Sequence, residues 1–88
     1  AAEWGGSGVR VNALAPGWIR TPMTRALQDN AERSALVVAR VPLGRWGEAI
    51  DVAGAGAFLA SDASAYITGH TIPVDGGVAN VISLDDPT

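Results

Sequence analysis

Val9-Arg10-Val11-Asn12-Ala13-Leu14-Ala15-Pro16-Gly17 is the stretch on which the fold turns. Val9, Val11 and Ala13 fall on one face of an extended chain, and Pro16-Gly17 ends the run, so residues 9–15 are predicted to form a β-strand. Just upstream, Ala1 to Trp4 reads as the last turn of a helix, because a Gly in the following Gly5-Gly6-Ser7-Gly8 run can supply a left-handed cap. Just downstream, Thr21-Pro22 is a helix start: the Thr hydroxyl can accept from an early amide, and Pro at the first helical position loses no bond.

From Met23 to about Val41 the apolar positions Leu27, Ala35, Leu36 and Ala39 have helical spacing, interrupted by Gln28-Asp29-Asn30, which predicts two short helices broken near Asn30. Pro42-Leu43-Gly44-Arg45-Trp46-Gly47 is a loop. A third helix is expected from about Glu48 to Ala60, with Ile50, Ala53, Gly54, Ala57 and Phe58 as its buried stripe. Glu48 and Asp51 suit the positive end of its dipole, and Gly54 and Gly56 inside it imply close backbone approach to a neighbour. After a turn-rich connection, His70-Thr71-Ile72-Pro73-Val74-Asp75 is a second strand closed by Gly76-Gly77, with Pro73 tolerable where its missing N–H is not needed. Strands alternating with helices predict an α/β fold with a parallel sheet, and one such unit cannot cover both faces of its own sheet.

Composition removes several classes of partner. The 88 residues are 48% hydrophobic and 17% charged, with a net charge of −3. The six basic residues are all Arg and none adjoins another, which leaves no electrostatic footprint for nucleic acid or an anionic membrane. There is no Cys, hence no disulfide, thiolate chemistry or Cys-based zinc site, and a reducing, cytoplasmic compartment is expected. No apolar run approaches the roughly 18–20 residues of a membrane span, no leader pattern is visible, and the chain begins at Ala1 without Met.

Val9 to Gly17, then Ile19 and Thr21-Pro22-Met23, Pro42-Leu43-Gly44-Arg45, Phe58-Leu59-Ala60-Ser61-Asp62, Ile67-Thr68-Gly69 and Val74-Asp75-Gly76-Gly77 together resemble the C-terminal third of the short-chain dehydrogenases/reductases. The resemblance covers Ala2 to about Gly77. It implies the last two strands of a Rossmann-type doubly wound parallel sheet, with residues 1–88 the C-terminal fragment of one NAD(P)-binding domain, 22–41 its substrate-lid helices and 78–88 a tail. It also implies an oxidoreductase that moves hydride between NAD or NADP and a small carbonyl or alcohol substrate. The candidate cofactor-binding residues are Pro16 and Gly17 near the nicotinamide, Ile19 through its backbone and Thr21 through its hydroxyl. Trp18, Met23 and Leu27 are candidates for lining the substrate pocket, and the third helix with the second strand for a homo-oligomer interface, dimer or tetramer. The apolar residues of the tail, Val81, Ile82 and Leu84, are candidates for docking on a partner subunit.

The resemblance assigns catalysis to a Tyr with a Lys four residues later and to an upstream Ser. This sequence has one Tyr, Tyr66, with His70 four residues on, and no Lys. Tyr66 lies in the turn before the second strand, so it reads as a packing or interface residue, and no catalytic residue is assigned. Gly54-Ala55-Gly56 is inside a helix and Gly5-Gly6-Ser7-Gly8 precedes a strand, so neither meets the context of a phosphate-binding fingerprint. Ser61, His70 and Asp75 lack the strand-to-helix elbow of a hydrolase, Asp75 reads as a cap on the Gly76-Gly77 turn, and no metal site is expected. Arg45 and Trp46 read as local stacking or ion-pair partners. The alternative to an oxidoreductase portion is a truncated, non-catalytic module that docks on full-length subunits.

Overall fold

Strand β1 (Ala13–Pro16) and strand β2 (Thr71–Val74) lie parallel, Ala13 opposite Thr71 and Pro16 opposite Val74. The computed structural model describes residues 1–80. Parallel strands require a long crossover, and here it holds helices α1 (Arg25–Asp29), α2 (Ala31–Ala39) and α3 (Ala49–Ala60), with short 3-10 turns at Pro22–Thr24 and Asp62–Ser64. The α/β class expected from the alternation is the one observed. Both strand prolines fit the ladder. Ala13 N–H donates to the His70 carbonyl at 2.9 Å and Gly17 N–H to the Val74 carbonyl at 3.0 Å. The amide that Pro16 lacks therefore falls between bonding positions, and Pro73, opposite Ala15, is likewise out of step with the bonding residues of β2.

The first strand is shorter than the predicted 9–15. Residues 9–12 run beside a loop instead of a strand, and Gly69, at φ +73°, turns that loop out of extended geometry. Side chains complete the pairing there: Val11 N–H donates to Thr68 Oγ1 at 3.0 Å, and His70 N–H to Asn12 Oδ1 at 3.1 Å. The inward face is also the other one. Leu14 is half-buried while Val9, Val11 and Ala13 are exposed.

Helix α3 shows the same inversion. Its predicted stripe of Ile50, Ala53, Gly54, Ala57 and Phe58 is exposed, and Val52, Ala55, Gly56 and Leu59 turn inward. Gly56 lies over Leu14, whose Cδ1 would be 3.8 Å from an added β-carbon, whereas a β-carbon on Gly54 would meet nothing within 4 Å. Close approach thus holds, loosely, for Gly56 and not for Gly54. Asp51 is the one charged residue in the helix, so both faces satisfy an apolar period and periodicity alone could not choose between them.

Most of the smaller expectations hold. Asn30 breaks the 22–41 segment into two helices and caps the second, its Oδ1 accepting Arg33 N–H at 3.0 Å. The left-handed glycine expected after the first turn is Gly8, at φ +78°, but the helical turn it ends is the 3-10 turn Gly5–Ser7 and not Ala1 to Trp4, which is a plain turn. Arg10 then ties that end of the molecule together: its guanidinium donates to the carbonyls of Leu59 and Ser64 at 2.9 Å and of Ile67 at 3.1 Å. A fixed cation on the last carbonyls of α3 complements the negative end of its dipole. Among the described residues no helix is long and apolar enough to cross a membrane. The tail expected to dock on a partner lies, from residue 81 onward, outside the described residues.

Candidate functional site

The most buried apolar side chains are Ile19, Val37, Val41 and Trp46, at 2–8% exposure, and they gather around the loop that leaves β1 instead of beneath α3. That loop, Pro16 to Thr21, contains all four candidate cofactor residues. Gly17 is sterically required: a β-carbon would lie 2.7 Å from Asp75 Cβ and 2.8 Å from Asp75 Cα. Asp75 is in turn fixed by Gly77 N–H on Oδ1 and Ala79 N–H on Oδ2, both at 2.9 Å, the turn cap the sequence suggested. Those two donors hold its carboxyl pKa below the ordinary value, the Gly77 bond contributing most. A hollow of about 450 Å³ opens at the carboxyl end of β1, with Pro16, Gly17, Trp18, Pro73 and Asp75 among its walls.

Beyond Gly17 the backbone is held by one residue of the 42–47 loop. Gly47 N–H donates to the Trp18 carbonyl and Arg20 N–H to the Gly47 carbonyl, both at 2.8 Å. Ile19, bridged between them, must turn its own N–H and C=O to the opposite side. Its carbonyl accepts Thr24 Oγ1 at 2.8 Å. Its N–H has no acceptor among the described residues. The Ile19 side chain packs on Gly47 so closely that any β-carbon there would collide with its Cδ1.

Thr21 and Thr24 form a capping pair at the Pro22–Thr24 turn, with Thr21 N–H donating to Thr24 Oγ1 at 3.1 Å. Gln28 Nε2 donates to the same hydroxyl at 2.7 Å and to the Thr21 carbonyl at 3.0 Å. With both lone pairs taken, the Thr24 proton goes to Ile19 O at 2.8 Å, the shorter of its two contacts, the other being the Thr21 carbonyl at 3.2 Å. The Thr21 hydroxyl, 3.4 Å from Thr24 Oγ1, is left with only that long contact.

Trp46 links α2 to the loop, its Nε1 donating to Ser34 Oγ of α2 at 2.8 Å and its ring meeting Trp18 edge-on at 6.2 Å. Arg20 lies over the Trp46 ring at 6.0 Å, and Arg45 pairs with Asp51 at 3.1 Å. Local stacking and ion pairing are thus what the Arg45-Trp46 step does. Trp18 also borders a second cavity of about 600 Å³, with Ile19, Arg45 and Asp51. Met23 is 96% exposed and neither it nor Leu27 lines either cavity, against the expectation for both.

Elsewhere the chemistry does not assemble. Tyr66 is fully exposed, so it packs against nothing within the described residues. Ser61 Oγ is spent on the Phe58 carbonyl at 2.7 Å, and Asp75 on its own turn. Among the described residues no three His, Cys, Asp or Glu side chains gather as a metal site. Sequence reasoning missed Thr24, Gln28 and Gly47. A Thr-x-x-Thr pair followed at helical spacing by Gln was the available signal for the first two.

Residues 1–79 match the family described as enoyl-(acyl carrier protein) reductase. The chain is 53% identical over 75 residues to the 2-dehydro-3-deoxy-D-gluconate 5-dehydrogenase of Pseudoalteromonas atlantica, covering 85% of this chain and 30% of that protein. It is also 53% identical over 78 residues to the 3-oxoacyl-acyl-carrier-protein reductase FabG of Escherichia coli, covering 89% and 31%. Among solved structures, a gluconate 5-dehydrogenase from Burkholderia cenocepacia in complex with NADP and tartrate superposes with a TM-score of 0.84 at 43% identity, over 92% of this chain and 32% of that one. The chain thus spans just under a third of the length of the relatives it matches.

Proposed function

The chain belongs to the short-chain dehydrogenase/reductase family and forms part of its Rossmann-type α/β sheet, and on that premise we propose that it supplies the nicotinamide-side loop, the substrate lid and a subunit interface of an NAD(P)-dependent oxidoreductase. Residues 22–41 are the lid in this reading, and residues 1–88 the C-terminal part of one dinucleotide-binding domain. NAD or NADP supplies the hydride-accepting and hydride-donating chemistry, acting on a small carbonyl or alcohol. The relatives named for a sugar acid and for an acyl carrier protein are equally similar, at 53% identity, so the likeness supports the reaction class above any one substrate.

The residues present fit a flat amide-bearing ring. Pro16, Gly17 and Trp18 provide apolar surface at the carboxyl end of β1, where ligands of open α/β sheets bind. The observation that carries the reading is the Ile19 amide, turned away from Gly47 and without an acceptor among the described residues, in a residue only 8% exposed. An N–H aimed away from the bridge is free to take an acceptor, and a carboxamide oxygen is one. Thr21 adds a hydroxyl with a nearly free proton.

In this reading the segment binds and orients, and proton transfer to the substrate oxygen belongs to groups supplied elsewhere in the polypeptide. Tyr66 is remote from the loop in sequence and fully exposed, and no Lys exists to partner it. The uncovered face of α3 favours association, either with like subunits of the whole enzyme or, in the alternative reading, as a non-catalytic module docking on full-length subunits. The coding sequence ahead of Ala1 tests the two. An in-frame Gly-rich strand-turn-helix and a Tyr-x-x-x-Lys are the expected finding; a stop or start codon adjoining Ala1 would replace the enzyme by the module.

A further inference from the structure

We propose that Thr24 and Gln28 are positioning residues that couple lid helix α1 to the aim of the Ile19 amide, an inference that rests on the reading of Pro16 to Thr21 as the nicotinamide loop. The orientation of a main-chain N–H is the orientation of its peptide plane. The plane before Ile19 is held on one side by Gly47 N–H on the Trp18 carbonyl at 2.8 Å. The plane after it is held from both sides, by Arg20 N–H on Gly47 and by Thr24 Oγ1 on the Ile19 carbonyl, each at 2.8 Å.

Thr24 has one proton and two acceptors in reach, the Ile19 carbonyl at 2.8 Å and the Thr21 carbonyl at 3.2 Å, and Gln28, which donates to the Thr21 carbonyl, tips the choice to Ile19. The Gln28 amide nitrogen must face the loop, because the Thr21 carbonyl 3.0 Å away can only accept. Its second contact, 2.7 Å to Thr24 Oγ1, leaves the hydroxyl proton for Ile19 O. Gln28 is on α1 and the loop is outside it. Withdrawal of α1 therefore releases the Thr24 hydroxyl, and with it one of the clamps on Ile19. Lid position and grip on the ring become one equilibrium.

The test uses the full-length protein that carries this chain, in wild-type form and as Thr24→Val, Thr24→Ser and Gln28→Met. NADH and NADPH are titrated beside ADP-ribose and 2′-phospho-ADP-ribose, which lack the nicotinamide. Thr24→Val is expected to weaken the nicotinamide-bearing ligand roughly tenfold, the effect of one well-placed hydrogen bond, and to leave its ring-less counterpart unchanged. Thr24→Ser should restore most of the loss, and Gln28→Met should weaken the same ligand by a smaller factor with the same selectivity. Unchanged binding by either Thr24→Val or Gln28→Met, equal weakening of both ligands, or no rescue by Ser would overturn the coupling. A wild-type protein that prefers neither dinucleotide over its ring-less analogue would instead overturn the nicotinamide loop itself.

Discussion

Gly17 has no room for a side chain, and the obstacle is backbone. A β-carbon would stand 2.8 Å from Asp75 Cα, so one of two fixed segments must move. We expect Gly17→Ala in the full-length protein to cost about 1–3 kcal/mol, the usual penalty of overpacking, read as a lower Tm. A Tm within error of wild type would show that the Asp75 turn yields freely. Asp75 itself carries a pH signature. Bonds from Gly77 and Ala79 stabilise its charged form and hold its pKa below the ordinary 3.8. The folded value lies below the unfolded one, so the contribution is complete above the unfolded pKa and is lost as pH falls through the folded one. Asp51, lowered by Arg45 and the Glu48 amide, titrates in the same direction. Acid unfolding from about pH 4 downward should therefore be shallower, not absent, in Asp75→Asn, with lower stability at neutral pH. Parallel acid curves for the two proteins would remove Asp75 from the account.

At the scale of elements, what was legible depended on whether one residue type had one use. Asn30 could only break and cap, and it does both. Pro16, Pro73 and the Gly76-Gly77 turn punctuate where their backbones demand. The loop from Pro16 to Thr21 could be picked out because those residues follow a strand. The orientation of α3 could not, because Ile50, Ala53, Ala57 and Phe58 on one side and Val52, Ala55 and Leu59 on the other are equally apolar. Nor could Gly47 be foreseen, since its role depends on a bridge to Ile19 across 28 positions of sequence. The exposed side of α3 carries its own test. Gly54 is interior to a helix with open space around it, so Gly54→Ala should raise the helix content of the isolated chain, favouring the helix by roughly 1 kcal/mol. If that side is covered in the full-length assembly, the same methyl group should lower the assembly's Tm. A rise in both settings would mean that nothing packs there.

The whole molecule is too thin to hold itself together. Its principal extents are 50 × 34 × 19 Å and its radius of gyration 16.1 Å, against about 12 Å for a compact domain of this length. It exposes 6546 Å², about a third more than the roughly 4,900 Å² expected of a compact monomer of its mass. Among the described residues four apolar side chains are buried, and no described residue forms a layer over the side of the sheet that carries Ala13, Ala15, Thr71 and Pro73. Much of the apolar content thus lies on the surface, as Trp4, Trp18, Met23, Leu36, Leu43, Ile50 and Phe58 do, and not in a core. Burial on this scale cannot offset the conformational entropy of about eighty ordered residues. We therefore expect the 88-residue chain alone to unfold gradually in urea, without a sigmoidal transition, and to leave Trp46 partly exposed in its fluorescence even in buffer. NADH at micromolar concentration should not quench Trp4, Trp18 or Trp46. Co-expression with the remainder of a short-chain dehydrogenase/reductase sheet should restore a single cooperative transition. A steep, two-state urea curve for the isolated chain, with an m-value in the usual range of about 1–3 kcal/mol/M, would show that the loop and helices α1 to α3 make a self-sufficient body, and would favour the docking module over the enzyme portion.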